Sequence, residues 1–128
     1  MGMVVVGIDI VDIERFTAAA RRTPRMLTRL FTPQELEYCR QKGSPYASLA
    51  ARFAIREAFR KLHPAFVRGL SFHDVSVQND EHGKPALLLT AAARQKAAAA
   101  GISGFAVSLS HSRSQAIAIV IGEGGNPE

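Results

Sequence analysis

Three features of this 128-residue chain predict an α+β fold. Short stretches near both ends alternate apolar with polar residues, or run apolar throughout, as strands do. Between them lie segments with apolar residues at helical spacing, opened by capping residues. The two kinds of segment come in blocks, so an antiparallel sheet with helices packed on it is expected, not a singly alternating parallel one.

The elements follow in order. Residues 3–10 read as a strand, and VVVGIDIV is apolar except for Asp9. Residues 12–20 place Ile13, Phe16 and Ala20 on one helical face. Pro24 starts a short helix ending near Leu30. Thr32, Pro33 and Glu35 form the capping-box start of a third helix, which Gly43 ends. Ser44 and Pro45 open a fourth, running to about Leu62 and stopped by Pro64. LSFHDVSVQ, residues 70–78, alternates with one shift and reads as a strand with a bulge. NDEHGKP is a turn, ALLLT a strand, and Thr90 caps a helix through Ala100. GFAVSLSH and SQAIAIVIG are two more strands around the turn HSRS. The chain is expected to form one domain over residues 1–122, with a loose tail at 123–128.

Composition narrows the function. No run of 18 apolar residues exists, so no membrane span is expected. No charged start followed by an unbroken apolar core marks a signal peptide. The single cysteine, Cys39, cannot form an internal disulfide. A cytoplasmic protein is the expectation. The net charge of +5 fits an acidic partner: nucleic acid, acidic protein or a phosphorylated small molecule. It also fits a solvated basic surface. The aromatic residues do not interleave with arginines as base-stacking platforms would.

Few residues can carry chemistry. A carboxylate in an apolar run is costly to bury alone. Asp9 therefore either caps the following helix or faces a cation at the end of its strand. Glu57 and Lys61 lie one helical turn apart in ARFAIREAFRKL. They form either a weak intrahelical pair or a carboxylate and an ammonium facing a ligand. Asp9 and Glu57 together suit one Mg²⁺, which takes one or two carboxylates, phosphates and waters. His111, at a strand end, is either a surface histidine or a ligand contact. The HGKP turn is a weak signal alone. No phosphate-loop, dinucleotide or nucleophile-elbow motif is present, and the four histidines lack zinc-ligand spacing.

VGIDIVDIERF, RFAIREAFRKL, NDEHGKP and VSLSHSRSQAIAIVI, in this order and covering nearly the whole chain, resemble the holo-acyl-carrier-protein synthases, small bacterial phosphopantetheinyl transferases. The resemblance implies transfer of 4′-phosphopantetheine from coenzyme A to a serine of apo acyl carrier protein, for fatty acid biosynthesis. Adenosine 3′,5′-bisphosphate is the other product. It also implies an α+β homotrimer with each active site between two subunits, and Mg²⁺ as cofactor. On this resemblance Asp9 and Glu57 are the metal ligands. Glu57 and Lys61 are catalytic, and Lys61, Lys84 and His111 lie around coenzyme A. Arg15, Arg22, Arg25 and Arg29 dock the acidic carrier. In-line attack at the β-phosphate would need no nucleophile of this chain, because the carrier brings the serine. Either Glu57 or a metal-bound water nearby takes its proton.

Two departures stand out. The family's lysine before the motif glutamate is Arg56 here, which keeps the charge but not a deprotonatable amine. The family's Gly-Thr-Gly turn is replaced by LHPAFVRG. The rival readings are a non-catalytic basic module binding nucleic acid, a transferase acting on a polyketide or peptide-synthesis carrier, and a homologue that binds coenzyme A without transferring.

Overall fold

The computed structural model describes residues 2–125. Ten regular elements appear: β1 (Met3–Asp12), α1 (Ile13–Arg22), α2 (Arg25–Leu30), α3 (Pro33–Arg40), α4 (Pro45–Arg60), β2 (Val75–Asn79), β3 (Pro85–Leu89), α5 (Ala91–Ala99), β4 (Gly104–His111) and β5 (Gln115–Gly124). The expected α+β class holds, with the strands split between two antiparallel sheets. One has the order β1-β5-β4 and the other pairs β2 with β3.

α4 lies on the three-stranded sheet and supplies much of the core. Its Ala54, Ile55, Ala58 and Phe59 are buried with Ala118 and Val120 of β5. The approach to β1 is close: a Cβ on Gly7 would stand 1.9 Å from the Ala58 carbonyl oxygen. Only glycine lets this helix rest on this strand. A second apolar cluster joins Phe16, Leu30, Phe31, Cys39 and Leu49 under α1 to α3.

The elements differ from the sequence reading where local polar contacts win. β1 runs on to Asp12, and Asp12 caps α1 by accepting from the Arg15 N–H at 2.8 Å. Asp9 is therefore not the cap. Residues 70–74 are not strand. Phe72–Asp74 form a 3₁₀ turn, because Asp74 Oδ2 takes the Ser71 N–H at 2.8 Å and offers the backbone an alternative to the ladder. β5 reaches Gly124, where it pairs with Met3. Two residues of the expected tail thus belong to the sheet, and 126–128 lie outside the described residues. Among the described residues no helix is long and apolar enough to cross a membrane.

The sheet has two unlike faces. Gly7 and Asp9 share the α4 side with the buried Ala118 and Val120. Val4, Val6, Ile8 and Ile10 point the other way with Ile117, and all five are at least 40% exposed.

Candidate active site

Asp9 and Glu57 come from different elements and line the same groove, of about 570 Å³, together with Arg15, Phe16 and Phe53. β1 delivers Asp9 on its α4 side, opposite Ala118. α4 delivers Glu57 one turn before its end. The helix does not pair Glu57 with Lys61. Arg60 Nη1 donates to both Glu57 oxygens at 3.2 and 3.3 Å. Lys61 instead crosses to the strand, 3.0 Å from Asp9 Oδ1 and 2.8 Å from the Ile8 carbonyl. The side chains of Lys61 and Arg60 are 55% and 39% exposed. Such pairs are worth at most about 1 kcal/mol, so a phosphate or a cation can displace either partner at small cost.

The carboxylate pair suits a hard cation only with help. Among the described residues no group of three or more His, Cys, Asp or Glu side chains converges. Two carboxylates fit Mg²⁺, which keeps waters and substrate phosphates in its shell, and do not fit an all-protein cage.

The arginines border this chemistry. Arg15 lines the Asp9–Glu57 groove. Arg22, Arg25 and Arg29 line a neighbouring groove of about 1080 Å³, with Arg60 and again Glu57 in its wall. None of the four expected docking arginines forms an ion pair among the described residues.

Lys84 and His111 lie elsewhere. They share a pocket of about 550 Å³ with Tyr38, Lys42, Ser48 and Arg52, on the opposite side of α4. His111 stands in the row of Val11, two strands across, about 10 Å away. Of the three expected coenzyme A contacts, Lys61 reaches Asp9, while Lys84 and His111 do not meet the carboxylates within one subunit.

Arg56 is not a site residue. It is buried, donates to the Val75 carbonyl at 2.8 and 3.0 Å and to the Leu30 carbonyl, and lies 3.3 Å from Glu35 Oε1. Burial pushes its guanidinium below the usual value, and Glu35 opposes this. Glu35 also takes the Val77 N–H at 2.8 Å and the Thr32 N–H at 3.0 Å. The expected capping box is thus also a buried link between α3, α4 and β2. The LHPAF segment closes the core: Phe66 stacks on Phe59 with ring centres 4.4 Å apart. Arg60 was missed as a partner of Glu57, although three-residue spacing on a helix signals it.

Residues 5–120 match the family model described as the 4′-phosphopantetheinyl transferase superfamily. The chain is 42% identical over 120 residues to a holo-[acyl-carrier-protein] synthase of Desulforudis audaxviator, covering 93% of this chain and 92% of the relative. It is similar to the solved holo-[acyl-carrier-protein] synthase of Neisseria meningitidis, with 30% identity, a TM-score of 0.81, and 92% and 96% of the two chains covered. The Helicobacter pylori synthase in complex with coenzyme A gives 29% identity and a TM-score of 0.74, over 91% and 98%. With a match over nearly its whole length, the chain belongs to the holo-[acyl-carrier-protein] synthases of the phosphopantetheinyl transferase superfamily.

Proposed function

We propose that this protein transfers 4′-phosphopantetheine from coenzyme A to a serine of apo acyl carrier protein, releasing adenosine 3′,5′-bisphosphate. One observation carries the reading on this chain: Glu57 stands in the shared wall of two grooves, one holding Asp9 and the other the free arginines. A carrier on the arginines would bring its serine to the carboxylates. Relatives named for this activity, and a similar structure solved with coenzyme A, support it.

The serine oxygen forms a bond to the β-phosphorus, and the bond from that phosphorus to the bisphosphate oxygen breaks. Lys61 Nζ, released from Asp9, meets the phosphate oxygens as a point charge. Glu57 is the group this chain offers to accept the serine proton. Asp9 and Glu57 would hold Mg²⁺, which supplies charge neutralisation at the pyrophosphate when bound.

The protein acts as a homotrimer in this reading. Two features support it. The exposed apolar face of Val4, Val6, Ile8 and Ile10 needs a cover. Lys84 and His111 sit away from the carboxylates within one chain, which suits a coenzyme A site completed by a neighbouring subunit. The reading also places the enzyme in the cytoplasm, where its one buried thiol stays reduced. Family membership leaves the nucleic-acid reading without an observation of its own.

The test is the intact mass of apo acyl carrier protein incubated with enzyme, coenzyme A and Mg²⁺. A gain of one phosphopantetheine, abolished by a chelator, is expected. An unchanged mass would overturn the proposal.

A further inference from the structure

Both carboxylates of the site already carry a cation of the chain itself. Lys61 on Asp9 has a part in the reaction proposed above; Arg60 on Glu57 has none. Arg60 Nη1 lies 3.2 and 3.3 Å from the Glu57 oxygens, so one nitrogen spans the whole carboxylate. Arg15, Arg22, Arg25 and Arg29 share groove walls with Glu57, but among the described residues Arg60 is the one that pairs with it.

The helix explains why Glu57 takes a partner. Residues 57–60 are the last turn of α4. Unpaired carbonyls there disfavour an anion and favour a cation. Three-residue spacing brings Arg60 onto the same face, and the tie from Lys61 to β1 fixes the helix end beside them. The pair is also better sheltered than a surface pair of the same spacing. Arg40 and Glu37 on α3 lie 3.1 Å apart with side chains 72% and 60% exposed, against 39% and 23% for Arg60 and Glu57. Water and salt screen the α3 pair more.

Building on the two-carboxylate reading above, we propose that Arg60 is the resident counter-charge of Glu57 and competes with the divalent cation for it, so that Arg60 sets the metal affinity of the enzyme before coenzyme A binds. A cation bonded to either Glu57 oxygen shares that oxygen with the guanidinium, and the like charges repel. Arg60 must give way or stay beside it, and either lowers affinity. Loss of Arg60 should therefore tighten metal binding. Loss of a merely structural contact would weaken it or leave it unchanged.

Free Mn²⁺, counted by electron paramagnetic resonance while the full chain is titrated without coenzyme A, reads this directly; Mn²⁺ suits the same oxygen ligands as Mg²⁺. Arg60→Met keeps an apolar stem and is expected to lower the Mn²⁺ Kd about fivefold. Arg60→Lys keeps the charge and should stay within about twofold of wild type. Arg40→Met removes the same charge from α3, shortly before the start of α4 and so about 24 Å from its end, and should change the Kd by less than about twofold. Glu57→Gln should raise it at least about tenfold. An unchanged or higher Kd in Arg60→Met overturns the role of Arg60 alone, as does tightening just as large in Arg60→Lys or Arg40→Met. Should Arg60→Met not fold, Arg60→Gln is read by the same criterion. A Glu57→Gln that binds Mn²⁺ like wild type overturns the two-carboxylate metal site and this proposal with it, while the mass of the carrier still reports on the transferase reading.

Discussion

Lys61 Nζ lies 3.0 Å from Asp9 Oδ1 and 2.8 Å from the Ile8 carbonyl, which pins the helix bearing Glu57 to the strand bearing Asp9. The Asp9 side chain is 18% exposed and that of Lys61 55%. The pair is placed to be exchanged for a ligand more than to stabilise the fold. Lys61→Met should cost no more than about 1 kcal/mol of stability and lower transfer about 100-fold. Thermal unfolding and carrier modification, measured side by side, check the split. Equal loss of both would make Lys61 structural.

The Glu35–Arg56 pair behaves in the opposite way. Its side chains are 1% and 4% exposed, and removing one partner leaves a buried charge. Glu35→Ala should destabilise by about 3–5 kcal/mol, a fall in Tm of more than about 10 °C. Calorimetry that finds a shift of only a degree or two would contradict the role.

The sheet and helix blocks were legible because their periodicity reports burial directly: β5 alternates, and α4 presents Ala54, Ile55 and Ala58 to the core. The caps at Thr32 and Thr90 were legible because their hydrogen bonds are local. The turn at Phe72–Asp74 was not. The Ser71–Asp74 bond that closes it is local, but the alternation of Leu70, Phe72, Val75 and Val77 reads equally as strand, and the Thr90 bond that holds Asp74 comes from sixteen residues on. That Asp9 and Glu57 could meet was legible, and the structure puts both on one groove, but their partners went unread. The Arg60 partner of Glu57 is local and open to reading from its three-residue spacing, whereas Lys61 reaches β1 by a contact across 52 residues. The burial of Arg56 was hidden for the same reason, since its acceptors lie in α2 and at the start of β2.

The Asp74 carboxyl is held below the usual range, first by the Thr90 hydroxyl and then by the Ser71 N–H. A depressed folded value means that the stabilisation is complete above the unfolded value of about 4. It is lost as pH falls through the folded value. Wild type should therefore weaken below about pH 4, and Thr90→Val should lose less over that window. At neutral pH the variant should be less stable by about 1–2 kcal/mol, because it also loses the cap of α5, a loss that does not change with pH. Denaturant unfolding across pH 3 to 7 reads both; parallel curves would contradict the clamp.

The apolar face of β1 gives a test of assembly. Val6→Arg places a charge among Val4, Ile8 and Ile10, on the side away from α4. It should leave the subunit folded, convert the proposed trimer to monomer in light scattering, and abolish transfer. A monomeric wild type of full activity would refute the shared site.

Cys39 is fully buried, and burial pushes its thiol up. A neutral thiol out of contact with solvent is a poor nucleophile. Alkylation should be negligible in the native protein and complete after unfolding. Fast native labelling would show that α3 opens.

The most direct test of the central claim is the mass of apo acyl carrier protein after incubation with coenzyme A, Mg²⁺ and wild type, Asp9→Asn or Glu57→Gln. Wild type should convert the carrier fully, and each variant should convert it about 100-fold more slowly while still folded. Variants that match wild type, or a wild type that leaves the carrier unmodified, would contradict the two-carboxylate site.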